Sequence, residues 1–241
     1  MSADGEDLDG LVRRVDPDRW LASRFIADEA ARADVVTLYA LNYELSRAAE
    51  VASQPLIGEM RLAWWREAVE EIFEGRPVRR HPVALALAEA VRRRGLPQAE
   101  LEALIDGRLR ELEAWPLGED EVDDYLGDTA GRLMTLAAKV LAPGMVCDLR
   151  PAGHAWGLAG LWRRGGRLPA GWDAAMVRGR TQTALGEARA ALKDLPVEAF
   201  PAAAYATLAR PYMAGREPSE LAKRLRLTWA VVRGSRIGSP G

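Results

Sequence analysis

The strongest candidates for metal chemistry in this chain are the carboxylates of the acidic run from Glu119 to Asp124 and the nearby Asp128. Asp124 and Asp128 stand four residues apart, so on a helix they would share one face, as carboxylates that bridge magnesium do. The same run also stands at the start of a predicted helix, where acidic side chains stabilise the positive end of the helix dipole. The pattern therefore favours a structural role over a metal site.

Histidine and cysteine chemistry has little support in the sequence. His81 and His154 are the two histidines, and they lie far apart in the chain. Neither has a second ligand at helical spacing, whereas zinc needs three or four clustered ligands. No Gly-x-Ser-x-Gly motif marks a nucleophilic serine. Cys147 is the single cysteine, which excludes an intrachain disulfide and agrees with a reducing cytoplasm.

Two further groups of side chains could bind a ligand. Trp64 and Trp65 are adjacent on a predicted helix and point about 100° apart. One of them is expected in the core and the other against a neighbouring helix or a groove. The segment from Leu161 to Pro169 carries three arginines at a predicted helix end. A helix C-terminus favours cations and an anion site would use the same side chains, so both interpretations stand.

These side chains are carried by a series of predicted helices. Asp16-Pro17 starts a short helix, Asp28 caps a long one that runs to about Ala52, and Pro55 opens a third that Gly75 closes. No alternating pattern of β-branched residues predicts a strand. We expect a disordered segment over 1–15 and a single all-α domain over 16–236. Further helical periodicity covers 82–94, 97–113, 119–141, 151–163, 173–195, 198–213 and 218–236.

Composition excludes several classes of protein. Apolar residues make up 49% of the chain and the net charge is -2, so neither disorder nor nucleic-acid binding is indicated. The acidic residues 1–10 lack the apolar stretch of a secretory signal, and no apolar run has the length of a membrane span. We expect a cytoplasmic protein, with contact at the periphery of the inner membrane as a further hypothesis.

The order of several segments resembles the squalene/phytoene synthase family. Tyr39 to Glu50 resembles the family's first aspartate-rich segment, which reads roughly Tyr-Ala-Phe-Cys-Arg-x-x-Asp-x-x-x-Asp. This resemblance implies the all-α isoprenoid synthase bundle, with a central cavity between helices. The other segments that match in order are 104–113, 125–133, 153–163 and 166–169.

The resemblance implies chemistry that these residues are poorly suited to perform. Family enzymes join two prenyl diphosphates, with magnesium held by two aspartate-rich segments neutralising the leaving diphosphate. Here Ser46 and Glu50 stand at the first pair of aspartate positions, and Arg164 stands at the second site. The chain then continues almost directly to Arg167, which leaves no place for another aspartate. A site that loses several hard ligands should not bind magnesium.

These departures are similar to a family branch that includes the mitochondrial complex I assembly factor and shares the Pro55 to Arg61 type of segment. We therefore predict a non-catalytic protein that needs no cofactor. Its partner would be a respiratory-complex subunit or an isoprenoid-like lipid. The rival hypotheses are a magnesium-dependent prenyl transferase with relocated ligands at Glu50, Asp124 and Asp128, and a lipid carrier without a protein partner. The predicted ligand-cavity residues are Tyr39, Asn42, Ser46, Glu50, Gly131, Arg164 and Arg167.

Overall fold

A computed structural model describes residues 7–50, 54–113, 115–165 and 168–233. All regular structure in these ranges is helical, which confirms the all-α prediction. The chain divides into two compact units, Met1–Glu113 and Ala114–Gly241. The prediction of a single domain over 16–236 stays a prediction. None of the described helices is both long and apolar enough to cross a bilayer.

The described residues of the first unit form six helices, α1 (Leu8–Val15), α2 (Pro17–Ser23), α3 (Glu29–Glu50), α4 (Pro55–Phe73), α5 (Pro82–Arg94) and α6 (Gln98–Leu109). Pro55 and Pro82 stand at the first positions of their helices, where a missing N–H costs no hydrogen bond, and Gly95 ends α5 at a φ of 61°. The long helix α3 packs against α1, α4 and α5, so it forms the centre of this unit.

The prediction of disorder over 1–15 is wrong for residues 8–15, which form α1. Asp7 caps this helix by accepting a hydrogen bond from the backbone N–H of Asp9, and Leu11 and Val12 are buried. The Asp9 carboxylate then accepts hydrogen bonds from Trp20 at 2.9 Å and from Arg24 at 2.5 Å. Asp7 and Asp9 are therefore the cap and the tertiary anchor of a short amphipathic helix.

The second unit is built around two helices, α9 (Arg150–Arg164) and α10 (Ala174–Ala191), which pack together along their lengths. The predicted helix over 119–141 is interrupted, because residues Gly127–Gly131 form a π-helical segment between two α-helices. The stretch over 198–213 is likewise divided by a 3₁₀ turn at Tyr205–Leu208. The helices are α7 (Glu119–Leu126), α8 (Arg132–Leu141), α9 (Arg150–Arg164), α10 (Ala174–Ala191), α11 (Phe200–Ala204), α12 (Ala209–Met213) and α13 (Glu220–Arg233).

Candidate functional site

Two of the predicted cavity residues lie in the packed interior of the first unit. Tyr39 is buried, with the Arg19 guanidinium 5.8 Å from the centre of its ring. Asn42 is also buried, and its amide oxygen accepts a hydrogen bond of 2.5 Å from Arg108 on α6. Arg108 also forms an ion pair with Glu111. Asn42 thus connects α3 to a cation on the neighbouring helix.

Ser46 and Glu50 lie one helical turn apart on α3. The resemblance assigns these two positions to magnesium-binding aspartates. The Ser46 hydroxyl donates a hydrogen bond of 2.9 Å to the backbone carbonyl of Tyr43 and is therefore engaged within its own helix. Glu50 is the last residue of α3 and is exposed. This face of α3 offers one neutral hydroxyl and one carboxylate, where a magnesium cluster needs several oxygen ligands.

The remaining predicted cavity residues belong to the second unit. Gly131 is buried at the end of the π-helical segment, where the backbone of Arg150 on α9 passes close to it. Arg164 is the last residue of α9 and is exposed. It forms no ion pair with any described residue, and its guanidinium lies over Gly160. Arg167 lies outside the described residues.

The acidic run over 119–124 is occupied by structural contacts. The Glu121 carboxylate accepts a hydrogen bond of 2.7 Å from the backbone of Gly118 and caps the helix. Arg180 on α10 pairs with Glu119 at 2.6 Å and with Asp123 at 3.3 Å. These contacts agree with the helix-start interpretation and show that the run also ties α7 to α10.

Asp124 and Asp128 do not share a regular α-helical face. The helix changes from α to π at Gly127, between the two carboxylates. Asp128 also accepts a hydrogen bond of 2.7 Å from Arg132. Among the described residues, no group of three or more histidine, cysteine, aspartate or glutamate side chains is arranged to hold a metal ion.

In the arginine segment at the end of α9, Arg163 has a structural role. Arg163 lies 3.9 Å from the ring centre of Tyr212 and pairs with Glu217 at 3.1 Å. Its contacts hold the end of α9 against α12 and the segment before α13. Of the described arginines in this segment, Arg164 is therefore the one whose charge is left for an anion.

A pocket of about 450 Å³ opens in the first unit between α3, α4 and the segment that precedes α5. It contains none of the predicted cavity residues. Its volume is within the range of sites that hold small ligands or anchor side chains of a partner. The pocket is lined by Glu44, Arg47, Ile57, Met60, Arg61, Trp64, Trp65 and His81.

An aromatic cluster forms the floor of this pocket. The rings of Trp64 and Trp65 meet edge to face at 5.0 Å, and His81 contacts both, at 5.6 Å and 5.1 Å. Trp65 is buried and Trp64 is partly exposed, which confirms the prediction that the two rings have different environments. Offset and edge-to-face contacts of this kind fix the orientation of each ring.

Arg79 fastens the segment before α5 onto α4. Its guanidinium lies 4.7 Å from the ring centre of Trp64, donates to the Glu71 carboxylate at 2.6 Å, and donates to the backbone carbonyl of Trp64 at 3.1 Å. This hydrogen bond lowers the pKa of Glu71 below its ordinary value. The pocket wall is consequently held in place without a ligand.

The polar groups of the pocket are suited to binding an anion. Arg61 is exposed at the pocket and forms no ion pair or hydrogen bond with any described residue. Arg47 lies 3.6 Å from Glu44, so its charge is partly balanced. The Nδ1 atom of His81 is buried and has no hydrogen-bond partner among the described residues. An occupant with an apolar body and a negative group would complement all three features.

The sequence alone did not reveal this pocket, because the apolar residues of α4 occupy more than one face of the helix. The residues of α4 that are buried are Gly58, Leu62, Trp65, Ala68 and Val69, whereas Met60 is 65% exposed and Ile57 is 38% exposed. The signal was present in the sequence: Ile57, Met60 and Trp64 recur at helical spacing on a different face from Leu62. Arg61 stands within this second apolar face.

The other reactive side chains are structural. Burial raises the pKa of the Cys147 thiol, with the charges of Asp194 and Asp148 as further causes, so the reactive thiolate is disfavoured. The thiol sulfur lies 3.0 Å from the backbone carbonyl of Ala191. Burial likewise lowers the pKa of His154. Neither residue lines the pocket in the first unit.

The fold and these sequence features define a class of protein. The squalene/phytoene synthase family profile matches residues 12–171 of the chain, which is more than half of its length. The chain belongs to the squalene/phytoene synthase family. This result confirms the family suggested by the segments around Tyr39 and Pro55.

The curated relatives that match the chain are complex I assembly factors. The chain is 31% identical over 132 residues to the NADH dehydrogenase (ubiquinone) complex I assembly factor 6 of Homo sapiens, and 33% identical to that of Rattus norvegicus. The homologue of Dictyostelium discoideum is 22% identical over 131 residues. The match covers 54% of this chain, and it spans 39% of the human protein.

A solved structure has the same fold. A crystal structure of a dehydrosqualene synthase in complex with a ligand aligns with a TM-score of 0.74 over 94% of each chain, at 13% sequence identity. The chain therefore has the isoprenoid synthase fold of this family. At that level of identity the likeness concerns the fold and carries no statement about activity.

Proposed function

We propose that this protein is a non-catalytic member of its family that acts by binding and assists the assembly of respiratory complex I. The proposal that the protein is non-catalytic rests on the identity of the residues at the family's aspartate positions. Ser46 donates its hydroxyl to a backbone carbonyl, and Arg164 brings a positive charge to a site that would have to hold a divalent cation. Like charges at that position disfavour metal binding.

The assembly role is supported by the relatives. The curated proteins that match the chain are named for complex I assembly. Because the match spans 39% of those proteins, their role is extended to this chain as a proposal.

The pocket in the first unit supplies a binding surface for this role. We propose that its occupant is a segment of a respiratory-complex subunit with one acidic and one large apolar side chain. The acidic group would pair with Arg61, which has no partner among the described residues, and the apolar group would contact Met60 and Trp64. A large apolar anchor beside a paired charge is typical of the residues that dominate protein interfaces.

Deletion of the gene in its host tests the function. We expect lower NADH–quinone oxidoreductase activity in membranes, with unchanged carotenoid and hopanoid levels. Complementation with Met60→Glu should fail to restore activity, because a carboxylate in the pocket would neutralise Arg61 and repel an acidic partner. Leu85→Glu is the matched control, since Leu85 is 48% exposed on α5 and does not line the pocket.

One result would reject the proposed function, and another would reject only the proposed binding surface. Normal respiratory activity with depleted isoprenoid products would favour a prenyl transferase. Full complementation by Met60→Glu, with the same protein level as the wild type, would exclude the pocket as the binding surface while leaving the assembly role in place.

A further inference from the structure

The last described helix, α13, presents a continuous apolar stripe to solvent. Leu221 is 67% exposed, Leu225 62%, Trp229 53% and Val232 76%. At about 100° per residue these four side chains fall within roughly 80° of arc. Single exposed apolar residues are ordinary on protein surfaces, but a stripe of this size along one helix marks an interaction surface.

The stripe is separate from the face by which α13 is held in the second unit. Lys223, Leu227 and Ala230 are buried and point in nearly the opposite direction. Through this face α13 packs against α11 and the 3₁₀ turn at Tyr205–Leu208. Lys223 is further held by Glu217 at 3.1 Å. The helix is thus anchored by one face, and the exposed apolar stripe lies on the other.

Beyond Glu220, the first residue of α13, which lies 3.5 Å from Lys223, the charged residues of this helix are positive. Arg224 and Arg226 are exposed and project on either side of the apolar stripe, at roughly 100° from its centre. Neither forms an ion pair with any described residue. The sequence from Leu221 to Arg233 contains no aspartate or glutamate, although the whole chain has a net charge of -2. Positive charge is therefore concentrated around this one apolar surface.

We propose that α13 docks on the surface of an anionic lipid bilayer. Leucine, valine and tryptophan side chains on one face would enter the boundary between headgroups and acyl chains, with the helix lying in the plane of the membrane. Arg224 and Arg226 would reach lipid phosphates on either side, since arginine pairs well with phosphate oxygens. Tryptophan is enriched at this depth of the bilayer because its ring is apolar and its N–H is polar.

The charges favour a lipid surface over a second copy of the chain. In a two-fold symmetric dimer the same patch of both subunits meets, so the arginines that flank one stripe would approach those of the other. Like charges across such an interface oppose association. An anionic bilayer instead offers negative charge along both sides of the helix. This inference concerns the second unit alone and does not depend on the proposed role in complex I assembly.

Vesicle flotation tests the proposal directly. The full chain is mixed with vesicles of phosphatidylcholine containing 30% phosphatidylglycerol, and in parallel with vesicles of phosphatidylcholine alone. We expect the wild type to float with the anionic vesicles. Arg224→Gln with Arg226→Gln should lower the partition coefficient roughly 30-fold, from the usual contribution of two cations near such a surface. Leu225→Glu should abolish flotation, because it places a carboxylate in the apolar stripe.

Controls separate docking from loss of folding. The substituted residues are exposed, so circular dichroism and the melting temperature of each variant should match the wild type. Leu85→Glu introduces the same charge at an exposed apolar residue of α5 and should leave flotation unchanged. Equal binding to both kinds of vesicle, or anionic binding that survives Leu225→Glu, would overturn the proposal. The proposal would also be overturned if the wild type did not float and instead sedimented as a dimer that Leu225→Glu dissociates.

Discussion

Gly153 of α9 and Gly131 of the π-helical segment are packed backbone to backbone. A Cβ atom added at Gly153 would lie 2.3 Å from the Cα atom of Gly131 and 2.8 Å from the carbonyl carbon of Ala130. No real Cβ approaches another atom this closely, so a side chain at Gly153 has no space. This close crossing fixes the path of α9, the helix that ends at Arg164.

Gly153→Ala should destabilise the protein by about 2 kcal/mol or more, because the obstructing atoms are backbone and cannot rotate away. Chemical denaturation of both proteins measures the difference. Gly160→Ala is the matched control on the same helix, since the nearest atoms to its added Cβ belong to the flexible Arg164 side chain at 3.7 Å. Alanine is the better helix former, so this control should be neutral or stabilising. Equal effects of the two substitutions would contradict the backbone contact.

Asp34 is the buried ionic link between α3 and α5. Its side chain is fully buried and accepts hydrogen bonds from Arg93 at 2.5 Å and from Arg94 at 2.7 Å. Asp34→Asn removes the charge that both guanidinium groups face. We expect a loss of about 2–3 kcal/mol, below the full cost for a buried pair because the arginines reach solvent. Thermal unfolding tests this value. Glu89→Gln removes an exposed carboxylate that pairs with Arg92 and Arg93 at the surface, and it should change stability by less than about 0.5 kcal/mol.

The free energy of unfolding should decrease as the pH is lowered below about 6.5, because His154 is held neutral in the folded protein. Burial lowers the pKa of this imidazole, although the nearby charge of Asp123 acts in the opposite direction. The unfolded chain takes up a proton near pH 6.5, whereas the folded protein resists it. The contribution of neutral His154 is therefore present above about pH 6.5 and is lost progressively below it. His154→Gln should reduce the slope of the unfolding free energy between about pH 6.5 and pH 5; an unchanged slope would show that other groups cause it.

Placing aspartates at the two family positions on α3 should not produce prenyl-transfer activity. Ser46→Asp with Glu50→Asp places two carboxylates one helical turn apart, but one face supplies too few oxygens for a magnesium cluster. The second site of the family would still contain Arg164 and Arg167. We expect a folded variant without prenyl-transfer turnover in a radiolabelled prenyl diphosphate assay. Product formed only with magnesium would show that a second set of ligands exists, with Asp124 and Asp128 as the first candidates.

The helical architecture was accessible from the sequence because its signals are local. Proline at the first position of α4 and α5 and glycine at the end of α5 determine those boundaries through their own backbone preferences. The π-helical segment at Gly127–Gly131 was not predicted; it lies where Gly153 of α9 packs closely against Gly131. The helix over 8–15 was missed because charged residues that anchor it look the same in sequence as those of a disordered segment.

The candidate site was harder to predict from the sequence than the helices were. Periodicity shows that Ile57, Met60 and Trp64 share a face of α4, but it does not show which neighbour covers that face. In the structure the stripe borders a pocket, and Leu62 and Trp65 supply the core contacts instead. The residue types at Ser46 and Arg164 were readable directly, and they remain the basis for predicting that no magnesium cofactor is used.

Pyrophosphate release tests the central claim, that the protein acts without prenyl-transfer chemistry. Purified full-length protein is incubated with magnesium and with farnesyl or geranylgeranyl diphosphate, and released pyrophosphate is measured against a sample without protein. The account predicts no release above that background with either substrate. Magnesium-dependent release that increases in proportion to protein concentration would contradict it.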